Sequence, residues 1–191
     1  MSTEQTQITE HSSQMPFPLS RDRTDHPFGS VDEDIVYSAN RFATKLGRQY
    51  NLNPTRQEQF KVGRLGEYIA ATYFQTQVDR TIYPADQGDG GSDFTVHGRD
   101  IDVKTCWHGP RELSVDSDTL GNADDYLLAE YSNGIIRLLG IISAGRLRQI
   151  GQHSPYDERV HLRPEYLRHL PKKEITPEMI KQEQAGRLRR I

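Results

Sequence analysis

The stretch that most restricts how this chain can fold runs from Tyr83 to Cys106, YPADQGDGGSDFTVHGRDIDVKTC. The runs Asp93-Phe94-Thr95-Val96-His97 and Ile101-Asp102-Val103-Lys104-Thr105 both alternate apolar and polar side chains. That is the period of a strand with one buried face. Gly98-Arg99 between them predicts a short hairpin. With those two residues as the loop, His97 pairs with Asp100, Thr95 stands opposite Asp102, and Asp93 opposite Lys104. Phe94, Val96, Ile101 and Val103 then point into a core. Asp93, Asp102 and Lys104 share the other face, within side-chain reach of one another.

Two acids and a lysine on one β-ribbon form a site for a divalent cation acting on a phosphate. The plainer alternative is a surface ion pair from Asp93 to Lys104, with Asp102 solvated. A helix predicted over Pro54 to Phe74 adds a third acid. Asn53 can cap it and Pro54 suits its first turn, and Val62, Leu65, Ile69 and Tyr73 form its apolar stripe. Glu67 lies beside that stripe, where it could reach the sheet edge. Gly63 and Gly66 cost about 1 kcal/mol each relative to Ala inside a helix. Close approach of the helix to another backbone would offset that cost.

The order Gly66-Glu67, then Asp93, then Asp102-Val103-Lys104, on helix, strand and strand, resembles the PD-(D/E)xK nuclease superfamily, which includes restriction endonucleases and Holliday junction resolvases. The resemblance spans roughly Lys61 to Arg148. It departs from the pattern in having Ser92, not proline, before Asp93. It implies an α/β fold with a restriction-endonuclease-like core, a mixed central β-sheet flanked by helices, and here an N-terminal arm and extra terminal helices. It implies Glu67, Asp93, Asp102 and Lys104 as catalytic residues. Asp93, Asp102, Glu67 and the backbone carbonyl of Val103 would bind Mg²⁺, for which Mn²⁺ could substitute. Lys104 would orient the attacking water or stabilise charge on the phosphate, or act as a base if its pKa were depressed. DNA is the implied partner, with Lys61, Arg64, His108 and Arg146 as candidate phosphate contacts.

Charge distribution fits such a partner only locally. The 191 residues carry a net charge of −3, but 11 Lys/Arg against 6 Asp/Glu lie between Arg146 and Ile191, and 7 against 13 between Lys61 and Gly145. An acidic site beside a basic region suits an enzyme that gathers cations and then meets a polyanion. The single cysteine, Cys106, excludes an internal disulfide or a thiolate cluster, and it reads as a small core residue. The absence of an apolar leader or of a run near ~20 residues predicts a cytoplasmic protein with no membrane partner.

The remaining elements follow from local patterns. Met1 to about Ser30 is polar and reads as a loosely attached arm. Asp32 to about Arg48 has helical spacing, with acids at its start. Gln77 to Tyr83 reads as a strand, and Ala85 to Ser92 as a Gly- and Asp-rich loop that does not match a calcium-binding pattern. Trp107 and His108 close the second strand of the hairpin. Asp125–Tyr131 and Ile135–Ile142 read as strands joined by Asn133-Gly134, followed by a helix from Ser143. Gly151 to Lys173, with three prolines, predicts short turns and one helical turn near Tyr166. Thr176 and Pro177 open a last, basic helix. The division expected is an arm over 1–30, the nuclease-like domain over 31–175 and a C-terminal helix over 176–191.

Three functions are compatible with this reading: a Mg²⁺-dependent DNA endonuclease, an exonuclease or structure-specific resolvase using the same site, and a non-catalytic nucleic-acid-binding module. Oligomeric state is not legible, although two-strand cutting commonly uses a symmetric pair of sites, as in a homodimer.

Overall fold

The computed structural model describes residues 25–83, 91–108 and 111–185. Residues 85–90 of the expected Gly- and Asp-rich loop and the Arg187-Leu188-Arg189-Arg190 end of the last helix lie outside the described residues, as do residues 1–24.

The most extensive pairing is the hairpin of β5 (Asp125–Ser132) and β6 (Ile135–Ser143). Asn133 and Gly134 turn it with φ of 51° and 74°, the two positive values that a tight turn matching the strand twist requires. β5 also pairs in parallel with β3 (Arg99–Cys106), which is antiparallel to β2 (Phe94–Val96). On its other side β6 meets β1 (Phe28–Ser30). β1 in turn pairs in parallel with β9 (Glu174–Ile175). The six strands lie in the order β2-β3-β5-β6-β1-β9. The result is a mixed α/β molecule with a curled, mixed central sheet flanked by helices.

Both faces of the sheet are covered, so the central strands are near-continuous apolar runs. On one face α1 (Glu33–Tyr50), α2 (Pro54–Tyr73) and α4 (Pro177–Ala185) bury Ile35, Leu65, Ile69 and Ile180 against Ile101, Val103, Leu127 and Leu138. On the other face α3 (Ala144–Ile150) and a three-stranded sheet of β4 (Leu113–Asp116), β8 (Arg159–Leu162) and β7 (Gln152–His153) bury Leu147, Val115 and Val160 against Tyr126 and Leu128. A bulge opposite Leu128 and Ala129 reverses the alternation of β6: Ile136 and Leu138 face the helices before it, Ile141 after it.

Helix ends follow their caps. Asp32 accepts from the Ile35 N–H and Asn53 from the Arg56 N–H, and Asn51 ends α1 in the left-handed conformation. Three expectations are corrected. Gln77 to Tyr83 is not a strand: the Asp79 side chain bonds the Thr81 N–H and hydroxyl and the Tyr83 hydroxyl, a local alternative that competes with a ladder. The arm reading fails at Phe28–Ser30, which is an interior strand. Gly29 makes that possible, because a Cβ there would stand 2.4 Å from Ile69 Cδ1. The segment from Gly151 to Lys173 holds two short strands as well as its single 3₁₀ turn at Pro164–Tyr166. Among the described residues, no helix is long and apolar enough to cross a membrane.

The two glycines of α2 differ in their surroundings. A Cβ on Gly66 would lie 2.0 Å from Thr105 Oγ1 and 3.2 Å from Thr105 Cβ, whereas nothing lies within 4 Å of one on Gly63. Gly66 therefore sets how closely α2 approaches β3. Gly66→Ala is expected to destabilise by about 1–3 kcal/mol through overpacking, and Gly63→Ala to stabilise by up to about 1 kcal/mol through helix propensity. Urea melts of the two variants test this. Equal effects would refute close helix–strand contact at Gly66.

Candidate active site

The hairpin turns at His97-Gly98, with φ of 49° and 75°, not at Gly98-Arg99. A two-residue turn of this kind needs positive φ at both central residues; Gly98 takes the second without a steric cost, and Arg99 is already in β3. The register is Phe94↔Ile101, Thr95↔Asp100 and Val96↔Arg99. Asp93 lies just before β2, so it is not paired with Lys104. The faces of the paired residues are unchanged. Moving a two-residue loop one position along the chain shifts the pairing by two residues, and side chains repeat every two.

Beyond Phe94 the ladder opens. The Asp93 N–H still donates to the Ile101 carbonyl at 2.8 Å, but the next free N–H on that edge, Val103, donates 2.7 Å to the Asp93 carboxylate. In an extended strand the N–H and C=O of one residue point to the same edge. The Val103 carbonyl therefore lies on the Asp93 side of β3.

Asp93 links the other three groups. Its carboxyl is held well above the usual carboxylate range, first by burial and then by the negative charges of Glu67 and Asp102; the Val103 N–H and Lys104 act in the opposite direction. Lys104 Nζ is 2.7 Å from Asp102. Arg64 Nη1 is 2.7 Å from Glu67. The other three residues expected to be catalytic thus all act electrostatically on Asp93, although Lys104 pairs with Asp102.

The cluster straddles the edge of the sheet. Ile101 and Val103 belong to the helix-side core, so alternation puts Asp102 and Lys104 on the opposite face, while Glu67 comes from α2. Among the described residues, no three Asp, Glu, His or Cys side chains gather closely enough to hold a metal ion. The donor chemistry nevertheless suits a hard divalent cation: carboxylates and a backbone carbonyl. Burial is the first cause of the elevated proton affinity of Asp93, and the negative charges of Glu67 and Asp102 add to it; a divalent ion would relieve the second.

This has a consequence for stability. A carboxyl whose pKa is raised by folding contributes stability that is fully present below the ordinary carboxylate range and is lost as pH rises through the elevated value. Asp93→Asn should therefore raise the melting temperature at pH 7 and lose that advantage near pH 4. Added Mg²⁺ should raise the melting temperature of the wild-type chain by a few degrees through linkage and leave Asp93→Asn unmoved. Differential scanning fluorimetry at both pH values reads both effects. An Asn variant less stable at pH 7 would show that the carboxylate is well accommodated.

The expected phosphate contacts fare unevenly. Arg64 is corrected: it is 4% exposed, donates to the Asp79 carbonyl at 2.7 Å and lies 3.4 Å over the Phe42 ring, so it supports Glu67 from within. Lys61 pairs with Glu58 at 2.5 Å. Arg146 is exposed on α3 and donates to Gln149. His108 is exposed against the Trp107 ring. None of these three is drawn to Asp93. Arg64 as a partner of Glu67 was legible as an i,i+3 pair on a helix; its burial was not. Burial pushes the Cys106 thiol up to about 11, so it stays protonated at neutral pH and packs against the second core.

Compared with known proteins, the chain matches no family model, no curated protein and no solved structure.

Proposed function

We propose that this protein is a divalent-metal-dependent endonuclease that hydrolyses phosphodiester bonds of DNA at the Glu67–Asp93–Asp102–Lys104 cluster. The observation that supports it is the state of Asp93, a carboxyl raised by burial and by two neighbouring acids, with a lysine at the same place. A structural ion pair needs one acid and one base. An excess of buried acid at a strand edge is instead what a cation-assisted site requires.

Asp93, Asp102 and the Val103 carbonyl would hold Mg²⁺, and Glu67 would hold a second ion or a bound water. The ion supplies Lewis acidity and acidifies water. Lys104, ion-paired to Asp102, would donate to a phosphate oxygen as charge develops there. Asp93, fixed by the Val103 N–H, keeps its carboxylate in one orientation. Arg64 does the same for Glu67.

Nicking of supercoiled plasmid with Mg²⁺, against EDTA, tests the reaction class. Nicking that survives chelation, or none with either Mg²⁺ or Mn²⁺ on any DNA form, counts against hydrolysis here. The pairing of Asp102 with Lys104 and of Glu67 with Arg64 favours, as the second reading, a non-catalytic nucleic-acid-binding module. Salt-dependent binding without turnover would be its mark.

A further inference from the structure

We propose that the cavity between α1, α2 and residues 79–83 receives an unpaired nucleobase, so that the substrate is single-stranded, or carries an unpaired nucleotide, where it is cut. This rests on the phosphodiester reading of the Asp93 cluster, which it deepens.

The cavity has a volume of about 340 Å³. Phe42, Leu46 and Tyr50, on successive turns of α1, form one wall, and Phe60 of α2 adds another ring. Glu67 and Asp93 also line it, so the cavity and the carboxylate cluster are contiguous. Its far side is built by alternate residues of the extended segment, Asp79, Thr81 and Tyr83. That segment is fixed in place: Tyr50 and Gln49 both donate to the Tyr83 carbonyl, and Arg64 donates to that of Asp79.

One wall of the cavity is apolar and aromatic, and Arg64, Glu67, Asp79, Thr81, Ser92 and Asp93 supply polar groups on the others, a combination that suits a planar ligand with polar edges. Arg64 supplies a specific polar group. It lines the cavity, is buried, and its Nε has no hydrogen-bond partner among the described residues. A buried donor without an acceptor is costly, and a base carbonyl or ring nitrogen is an acceptor of the right kind.

Charge beside the cavity fits a nucleic-acid strand. Arg41, Lys45 and Arg48 recur at i, i+4 and i+7 on α1, all exposed. Arg80, on the opposite face of the 79–83 segment, borders with Arg41 and Lys45 a second recess of about 290 Å³. None of these four has an ion-pair partner among the described residues. Cations that track phosphates beside aromatic rings that stack bases are how single strands are bound. A base stacked in an intact duplex cannot enter such a cavity without being extruded.

The test uses the full chain in EDTA and fluorescence anisotropy of one labelled sequence as single strand, as intact duplex, and as duplex with a one-nucleotide bulge. The single strand and the bulged duplex should bind at least about tenfold more tightly than the intact duplex. Thr81→Trp, which fills the cavity from an exposed position, and Phe60→Ala should each reduce that preference about tenfold. If Thr81→Trp melts early, Phe60→Ala, at a residue 41% exposed, decides. Equal binding of all three forms, or a preference that neither variant moves, overturns the proposal. Cleavage with Mg²⁺ is read separately. Cutting of every form alike would retain hydrolysis and remove the base site, whereas the cavity-dependent preference without cutting would retain the base site and remove hydrolysis.

Discussion

Lys104→Ala should lower Mg²⁺-dependent plasmid nicking by on the order of 10²–10³-fold, the usual loss when one preorganised electrostatic donor is removed from a reacting phosphate or carbonyl. The fold should not notice. The Lys104 side chain is 37% exposed, and a pair at that exposure is worth about 0–1 kcal/mol. The melting temperature should therefore move by no more than a few degrees. Lys104→Arg separates two roles. It keeps the charge, and should recover part of the activity if Lys104 acts as an electrostatic stabiliser; as a base it would recover none, because guanidinium does not deprotonate. A variant that nicks plasmid at the wild-type rate would remove Lys104 from the site.

Arg64→Ala should be the most destabilising single change on α2. The guanidinium is almost fully buried and serves three neighbours at once: the Glu67 carboxylate, the Asp79 carbonyl and the face of Phe42. Removing one partner of a buried ion pair costs about 3–5 kcal/mol. In a chain of this size each kcal/mol lowers the melting temperature by about 2–4 °C, so a fall of roughly 6–20 °C is expected by calorimetry. Arg64→Met, which keeps much of the side-chain volume, should recover packing but neither the pairing of Glu67 nor the tie to residue 79. If Arg64→Ala melted within 2 °C of wild type, the clamp between α2 and the 79–83 segment would be energetically idle. Its effect on cleavage would then have to be direct.

Much of the site was legible because it depends on period and order. Alternation along β3 placed Asp102 and Lys104 together, and it survived an error in the hairpin loop because that error displaced the pairing by an even number of residues. Asn133-Gly134 is a local conformational preference and was read correctly. The cap at Asn53 depends on a neighbour three residues away and was equally accessible.

The failures share a different cause. The 77–83 segment has strand-like composition, but a side-chain network around Asp79 and the Arg64 clamp keep it out of the ladder. Phe28–Ser30 is too short to announce itself, and it becomes a strand because an edge of β6 and the edge of β9 await it. The second sheet pairs β4 with β8, more than 40 residues later in the chain, a pairing no local pattern encodes.

From the amino-acid sequence alone came the alternating faces of the hairpin, the helix bearing Glu67, and the identity of the acids and lysine, because each depends on residues near one another in the chain. Only the tertiary structure decided that the Asp93 carboxylate takes the Val103 N–H, that Arg64 is buried beside Glu67, and that aromatic side chains of α1 border Glu67 and Asp93. Those facts arise from long-range packing, where burial and the repulsion between charges from separate elements first come into play.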